Sequence, residues 1–311
     1  MIERIKHSDF VRYLEKLYLE EPVYIWGGNG NLITKQLVDD LIKKYSSETF
    51  NDKYYYNKLA TSKGKFGYDA PGLLNYITGE DKTVLQYFHS CIVKRHIGSI
   101  PDDKVCLVFN KTLTHVGIYL GNGYTIEMKD SKTNMMKESF RINRWTYFGM
   151  PDFIDYEENI SKINFAKYDR VIKNYQEFLN TEIDYVKTPI TGEFDLTTKE
   201  NSIRLLQKVF SNNYGCVINE TGVFDLSTKK NCPNHKLLLS DKNALRKVIY
   251  AINTLLYSSI DYKMADALEG DVFDKRYTPF LKGVLAQYQS IQRGLEVNGE
   301  ITPETLYSLF K

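Results

Sequence analysis

His115 and Glu127 are the residues whose types and spacing point most directly to chemistry. His115 opens an apolar run over 116–120 that alternates in the manner of a strand, and residues 124–129 alternate in the same way. A hairpin of these two strands brings an imidazole and a carboxylate together. That pair is the base and the orienting acid of a hydrolase that uses an activated nucleophile. The alternative is an exposed cross-strand ion pair.

The register of this hairpin decides whether the two side chains meet. The Asn-Gly dipeptide in the loop is the usual sign of a two-residue turn, but that turn would mix polar and apolar residues on each face. A loop with an odd number of residues keeps one face apolar. This register pairs Ile118 with Tyr124 and His115 with Glu127, and it is the register that we predict.

A helix over 69–78 is the element that would position a nucleophile. Asp69 is a suitable N-cap, Pro71 suits the first turn, and Gly79 suits the end. A cysteine at position 70 would lie at the positive end of the helix dipole, which favours the thiolate. The residue at this position is Ala70, so the alternative interpretation is an ordinary capped core helix without a catalytic role.

Three segments in order resemble the NlpC-type cell-wall peptidases, a papain-like family of cysteine hydrolases. Residues 24–30 read Tyr-Ile-Trp-Gly-Gly-Asn-Gly, residues 69–73 read Asp-Ala-Pro-Gly-Leu, and residues 115–121 read His-Val-Gly-Ile-Tyr-Leu-Gly. The family has Asp-Cys-Ser-Gly-Leu at the second segment. The resemblance covers residues 1–156 and implies a papain-like catalytic domain whose nucleophilic cysteine is replaced by alanine.

The resemblance also implies a role for each site residue. Ala70 occupies the position of the nucleophile, His115 is the base, and Glu127 orients it where the family often has His, Asn or Gln. Four residues are implied to bind substrate: Tyr24, Trp26, Asp69 and Trp145. The Tyr24 hydroxyl and the N–H of residue 70 would hold the substrate oxygen, and Asp69 would meet the free amine of the stem peptide. For Trp145, a position in the core is an equally good interpretation.

The activity implied is peptidoglycan hydrolysis of the endolysin type, without a cofactor. The bond usually cut by this family joins γ-D-glutamate to the diamino acid of the stem peptide, and some relatives cut N-acetylmuramoyl–L-alanine instead. Ala70 is explained either by deliberate inactivation of an enzyme or, as Pro71 indicates, by natural divergence. In the second case the protein is a non-catalytic wall-binding pseudoenzyme or a component of a phage tail.

Hydrophobic spacing predicts the other elements of residues 1–156. We expect helices over 8–20, capped by Ser8, over 34–45 and over 81–95, and a strand over 105–109. The predicted fold class is therefore α+β.

Two later segments, 160–234 and 240–311, resemble small, mainly helical peptidoglycan-binding repeats. Glycine-containing turns recur at 191–198, 221–228, 268–273 and 297–306, and their recurrence predicts a duplication with a period near 75 residues. The partner implied is bacterial peptidoglycan. The alternative is an all-helical accessory domain of unknown role.

Composition limits the other function classes. Lys and Arg number 41 and Asp and Glu 39, so a net charge of +2 gives no case for nucleic acid or an anionic membrane. Four cysteines without Cys-x-x-Cys spacing and five histidines predict no metal site.

Residues 1–21 lack the apolar centre of a secretion signal, and no stretch is long enough to span a bilayer. We therefore expect the protein to remain in a host cytoplasm until lysis or to arrive on a phage particle. The sequence does not indicate an oligomeric state.

Overall fold

A computed structural model of the protein describes residues 4–156, 160–259 and 275–311. The chain forms two compact units, residues 1–163 (unit 1) and residues 164–311 (unit 2). Unit 1 combines helices with three sheets, whereas the described part of unit 2 contains helices and turns only. The mixed α+β class is confirmed.

In unit 1, helices and short strands are interspersed up to residue 96, and the elements that follow are mainly strands. Its α-helices are α1 His7–Leu19, α2 Lys35–Tyr45, α3 Asp52–Ser62, α4 Ala70–Thr78 and α5 Val84–Ser90. Its strands are β1 Ile5–Lys6, β2 Val23–Tyr24, β3 Asn29–Leu32, β4 Phe66–Tyr68, β5 Val93–His96, β6 Cys106–Phe109, β7 Val116–Tyr119, β8 Tyr124–Asp130, β9 Asn134–Ser139, β10 Tyr147–Met150 and β11 Ile154–Asp155.

A six-stranded antiparallel sheet in the order β5-β10-β6-β7-β8-β9 forms the centre of unit 1. A three-stranded sheet, β2-β4-β3, and a parallel pair, β1 with β11, complete it. Helix α4 packs against β7 and β8, and β2 lies against β8 and β9. The elements of all three resembling segments therefore meet on one side of unit 1.

Helix α4 begins and ends where the sequence predicts. The Asp69 carboxylate accepts a hydrogen bond from the N–H of Gly72 at 2.7 Å, Pro71 lies in the first turn, and Gly79 ends the helix in the left-handed conformation. Gly72 is also a point of close contact, because a β-carbon there would collide with the carbonyl oxygen of Gly28.

Replacing Gly72 with alanine is expected to destabilise unit 1 by about 1–3 kcal/mol, because backbone cannot move aside as a flexible side chain can. Urea unfolding followed by circular dichroism measures the change. Gly283 is the control: it is helical, its added β-carbon would meet open space, and Gly283→Ala should be neutral or stabilising. Equal effects of the two substitutions would contradict the assigned contact.

The hairpin of β7 and β8 has a different register from the predicted one. Ile118 pairs with Ile126, and Tyr119 pairs with Thr125, so the predicted pairing of Ile118 with Tyr124 is wrong by two residues. The turn is centred on Asn122 instead of Gly121, and the glycines on either side, Gly121 and Gly123, have positive φ. A shift of two residues leaves every side chain on its predicted face.

Two other predictions for unit 1 are wrong. The helix expected over 81–95 ends at Ser90, and Val93 to His96 form β5, because backbone pairing with β10 outweighs local helix preference. Ser8 does not cap α1: the helix already begins at His7, and its N-cap residue makes no side-chain cap bond.

The described helices of unit 2 share one hydrophobic core. They are α6 Arg170–Glu182, α7 Leu196–Tyr214, α8 Leu226–Asn231, α9 His235–Leu238, α10 Lys242–Ser259, α11 Pro279–Ile291 and α12 Pro303–Phe310. Nearly all buried apolar side chains of the two predicted repeats, 160–234 and 240–311, belong to a single continuous cluster. The turn predicted over 268–273 lies outside the described residues.

Three buried glutamines recur in unit 2, each joining a helix to the glycine turn that follows it. The Gln176 amide donates to the carbonyl of Glu193 at 2.9 Å and to the Thr198 hydroxyl at 2.9 Å, and its oxygen accepts from the N–H of Gly192 at 2.9 Å. We call this arrangement a glutamine clasp.

The other two clasps have the same partners at equivalent positions. They are Gln207 with Val223, Thr228 and Gly222, and Gln289 with Glu300, Thr305 and Gly299. Since Gln176 and Gln207 both lie within the first predicted repeat, the recurring element is shorter than the expected period near 75 residues.

Gln289→Leu is expected to lower the free energy of unfolding of unit 2, by about 1–3 kcal/mol for each buried backbone or hydroxyl group that loses its partner. Gln287, exposed on the same helix, is the matched control, and Gln287→Leu should stay within about 0.5 kcal/mol of the parent. Thermal and urea unfolding measure both variants. Similar stabilities would mean that the clasp contributes nothing.

Candidate active site at the amino end of helix α4

The elements that carry the predicted site residues lie together in unit 1. Ala70 is the first residue of α4 and is 7 % exposed, His115 immediately precedes β7, and Glu127 lies on β8. Since α4 packs against both strands, the structure brings the helix and the hairpin into one neighbourhood.

His115 and Glu127 are in direct contact. The Nε2 atom of His115 lies 2.6 Å from Oε2 of Glu127. The shifted register makes this contact diagonal: Gly117 lies beside Glu127 across the strands, since a β-carbon on Gly117 would be 3.4 Å from that of Glu127. Glu127 is 1 % exposed, whereas a quarter of the His115 side chain is exposed.

This contact distinguishes the two ring nitrogens of His115. A carboxylate can only accept a hydrogen bond, so Nε2 carries the proton that lies between the two groups. Nδ1 of His115 is then the nitrogen that can accept a proton from a reacting group. The arrangement can therefore supply a general base with a fixed tautomer.

Trp145 fixes the plane of the imidazole. Its ring lies parallel to the His115 ring within 10°, with the centroids 5.9 Å apart, and it covers Gly117, where an added β-carbon would lie 2.7 Å from the indole. Trp145 is 2 % exposed. The Trp145 side chain therefore lies in the core, the alternative that the sequence left open, and packs against the His115 ring.

Arg144 is a site residue that the sequence reasoning missed. Its Nη2 atom donates to Oε2 of Glu127 at 2.8 Å, and its Nη1 atom contacts both Oε1 of Glu127 and the carboxylate of Glu138. The only sequence signal was its position beside Trp145. No spacing rule connects a residue in the 3-10 turn Ile142–Arg144 with a carboxylate on β8.

Asp69 connects the first resembling segment to α4. One carboxylate oxygen caps the helix through Gly72, and the other accepts from the N–H of Gly27 at 2.9 Å. The N–H of Asp69 donates to the carbonyl of Gly28 at 3.0 Å. Burial raises the pKa of Asp69 to about 6, against the lowering effect of its two N–H donors. Both oxygens thus serve internal contacts, and a contact with substrate stays a prediction.

Trp26 is held on several sides but remains 37 % exposed. Its ring stacks on Phe50 with the centroids 4.7 Å apart and the planes 2° from parallel. The backbone N–H of Trp26 donates to the hydroxyl of Tyr54, and its backbone carbonyl accepts from the hydroxyl of Tyr55, both at 3.2 Å. A rigid, partly open indole of this kind can form one wall of a substrate groove.

Tyr24 is almost fully buried at the end of β2. Its N–H donates to the Asn134 side chain at 3.0 Å, which ties β2 to the start of β9. Burial, and then the negative charge of Asp69, raises the pKa of the Tyr24 hydroxyl well above its usual range. The hydroxyl therefore stays protonated and can donate a hydrogen bond.

None of the four cysteines shows the features of a nucleophile. Burial raises the pKa of Cys91 and Cys232 to about 12 and raises the pKa of Cys106 and Cys216 as well. Within the described parts of the chain, no group of three or more His, Cys, Asp and Glu side chains could hold a metal ion. No helix described in either unit is long and apolar enough to cross a membrane.

No model of a protein family, no curated protein and no solved structure matches this chain. The geometry of unit 1 therefore carries the functional argument.

The Asp69 carboxyl should make unit 1 less stable as the pH rises. Its pKa is about 6 in the folded protein, against 3.8 for an unperturbed aspartate side chain, so the folded form binds the proton more tightly than the unfolded chain does. Stability is therefore lost between these values as the pH increases. The difference corresponds to about 3 kcal/mol. Asp69→Asn, which can still cap α4, should remove this part of the pH dependence.

The measurement is urea unfolding of the parent and of Asp69→Asn at several pH values between about 4 and 7, the range that the raised pKa of Asp69 spans. Subtracting the two curves removes the contribution of the other carboxylates. A difference that does not change with pH would contradict the assigned burial of Asp69.

Proposed function

We propose that unit 1 is a papain-like peptidoglycan hydrolase of the NlpC type, and that this chain is its inactive form. The observation that carries the proposal is the 2.6 Å contact between His115 and the buried Glu127, on strands that pack against the helix that begins at residue 70. The substrate proposed is the peptidoglycan stem peptide. The bond proposed is the amide between γ-D-glutamate and the diamino acid.

In the active form, position 70 would carry the cysteine nucleophile. The amino end of α4 presents the positive end of the helix dipole, which favours a thiolate. An ion pair of this thiolate with the protonated His115 would be the reactive form, as in other cysteine hydrolases.

The reaction would then proceed by acyl transfer. The thiolate attacks the amide carbon, and His115 gives its proton to the leaving amine, which releases one half of the stem peptide. Water, deprotonated by His115, then hydrolyses the thioester and regenerates the cysteine. The N–H of residue 70 and the Tyr24 hydroxyl would donate hydrogen bonds to the oxyanion, a role that suits the protonated phenol of Tyr24.

The methyl group of Ala70 cannot attack a carbonyl. Loss of a covalent nucleophile lowers turnover on the order of a million-fold in a serine protease, so the present chain should retain the groove without turnover. The second candidate function, a naturally non-catalytic wall-binding protein, is favoured by this same residue and by Pro71, which stands where the family has serine.

Unit 2 is proposed to bind the cell wall as peptidoglycan-binding-like repeats. Support comes from the three glutamine clasps, which give the glycine turns of this unit a common construction. A wall-bound unit 2 would keep unit 1 near its substrate and raise the effective concentration of stem peptide. Release at host lysis, or delivery on a phage particle, is the proposed route to the wall.

Ala70→Cys is expected to give a chain that clears suspensions of bacterial walls and releases free amines. Addition of His115→Ala to this variant should abolish both activities, because the base is lost. His89→Ala, at an exposed histidine of α5, is the matched control and should leave them unchanged. Turbidity and amine labelling measure the two activities.

The labelled amine identifies the bond. A new amino terminus on the diamino acid indicates the endopeptidase, and a new amino terminus on L-alanine indicates the muramoyl-alanine amidase. A folded Ala70→Cys protein that releases neither would reject the hydrolase proposal and leave the wall-binding function.

A further inference from the structure

The guanidinium of Arg144 bridges two carboxylates next to the proposed base. It contacts both oxygens of Glu127, and its Nη1 atom also contacts Glu138 on β9. Oε2 of Glu127 receives the Arg144 Nη2 at 2.8 Å and the His115 Nε2 at 2.6 Å. One oxygen atom is thus shared by the imidazole and the guanidinium.

Arg144 and Lys129 together balance the charges of the two carboxylates near His115. Glu127 and Glu138 are 1 % and 12 % exposed and carry two negative charges. Arg144 neutralises one, and Lys129, whose Nζ lies 4.0 Å from Glu138, faces the other. Helix α4 has no charged side chain between Ala70 and Thr78. Without Arg144, the buried carboxylate of Glu127 would face the imidazole with no lysine or arginine of the described residues in direct contact.

Arg144 also contacts the tryptophan that packs against the proposed base. Its Cζ atom lies 5.0 Å from the centroid of the Trp145 ring, and that ring stacks on His115. A single side chain thus holds both the acid that orients the imidazole and the indole that sets its plane.

We propose that Arg144 is a positioning residue of the hydrolase. It holds the Glu127 carboxylate in place, so that His115 keeps its proton on Nε2 and presents Nδ1 to the nucleophile position. This inference rests on the proposed function. Its two parts are separable, because the tautomer of His115 can be measured in the present, inactive chain, whereas the effect on turnover requires a cysteine at position 70.

The first experiment records the nitrogen-15 shifts of the two His115 ring nitrogens in the Ala70 protein, under conditions in which the imidazole is neutral. The parent should show a single tautomer with the proton on Nε2. Arg144→Met should show a mixture of tautomers, and Arg144→Lys, which keeps the charge but not the two-pronged contact, should lie nearer to the parent.

Arg141→Met is the matched control, since Arg141 is exposed in the same segment. It should leave the His115 signals unchanged. Circular dichroism of each variant shows whether the fold is kept. A folded Arg144→Met protein whose His115 tautomer equals that of the parent would overturn the proposal.

The second experiment repeats the three substitutions in the Ala70→Cys protein. Arg144→Met should lower kcat by about tenfold to a hundredfold, the range found for residues that orient metal-bound histidines, with KM unchanged. Arg144→Lys should recover part of the loss, and Arg141→Met should have no effect. An increase in KM with kcat unchanged would assign Arg144 to substrate binding and reject the positioning role.

The failures can be told apart. If every Ala70→Cys variant lacks activity while the tautomer of His115 still depends on Arg144, the proposed function fails and the positioning of His115 stands. If Ala70→Cys is active and its Arg144→Met derivative is equally active, the role of Arg144 fails and the hydrolase stands.

Discussion

A carboxylate buried within the central sheet is the constraint on which the site of unit 1 depends. Taking an ionised Glu127 out of water is strongly unfavourable unless charged and hydrogen-bonding partners replace the water. The partners are His115 from the start of β7 and Arg144 from the turn before β10. Segments far apart in the chain must therefore converge on β8. The requirement of one buried charge thus sets how His115, Glu127 and Arg144 are arranged.

A second buried carboxylate organises the opposite side of the site. Asp69 both caps α4 and holds the Gly27-Gly28 backbone. A β-carbon at Gly72 would collide with the carbonyl of Gly28, and one at Gly28 would collide with Ile25 and Gly67. The amino end of α4 is thereby fixed against the segment that follows β2 and carries Trp26. Position 70 lies at this junction, and none of these contacts uses the side chain of Ala70.

Local signals in the sequence were sufficient for some parts of the structure and not for others. The caps of α4 were predicted correctly because Asp69 and Gly79 act within one turn of the helix. The faces of the β7–β8 hairpin were also predicted correctly, because the alternation of polar and apolar residues fixes them. The register between the two strands was not, because it depends on a turn with two left-handed glycines. The helix expected over 81–95 failed because β10 recruits part of that segment into the sheet. The role of Arg144 could not be predicted from the sequence, because its contact with Glu127 is set by tertiary packing alone.

The sequence predicted only part of each glutamine clasp. The glycine turns were predicted, but the buried glutamine amides that hold them were not. The clasps also share an element, because α7 begins at the turn closed by Gln176 and itself carries Gln207, which closes the next. A helix that belongs to two consecutive clasps leaves no natural cutting point between them. The first two glycine turns are therefore expected to unfold together. A truncation within α7 would disrupt the clasps of both Gln176 and Gln207.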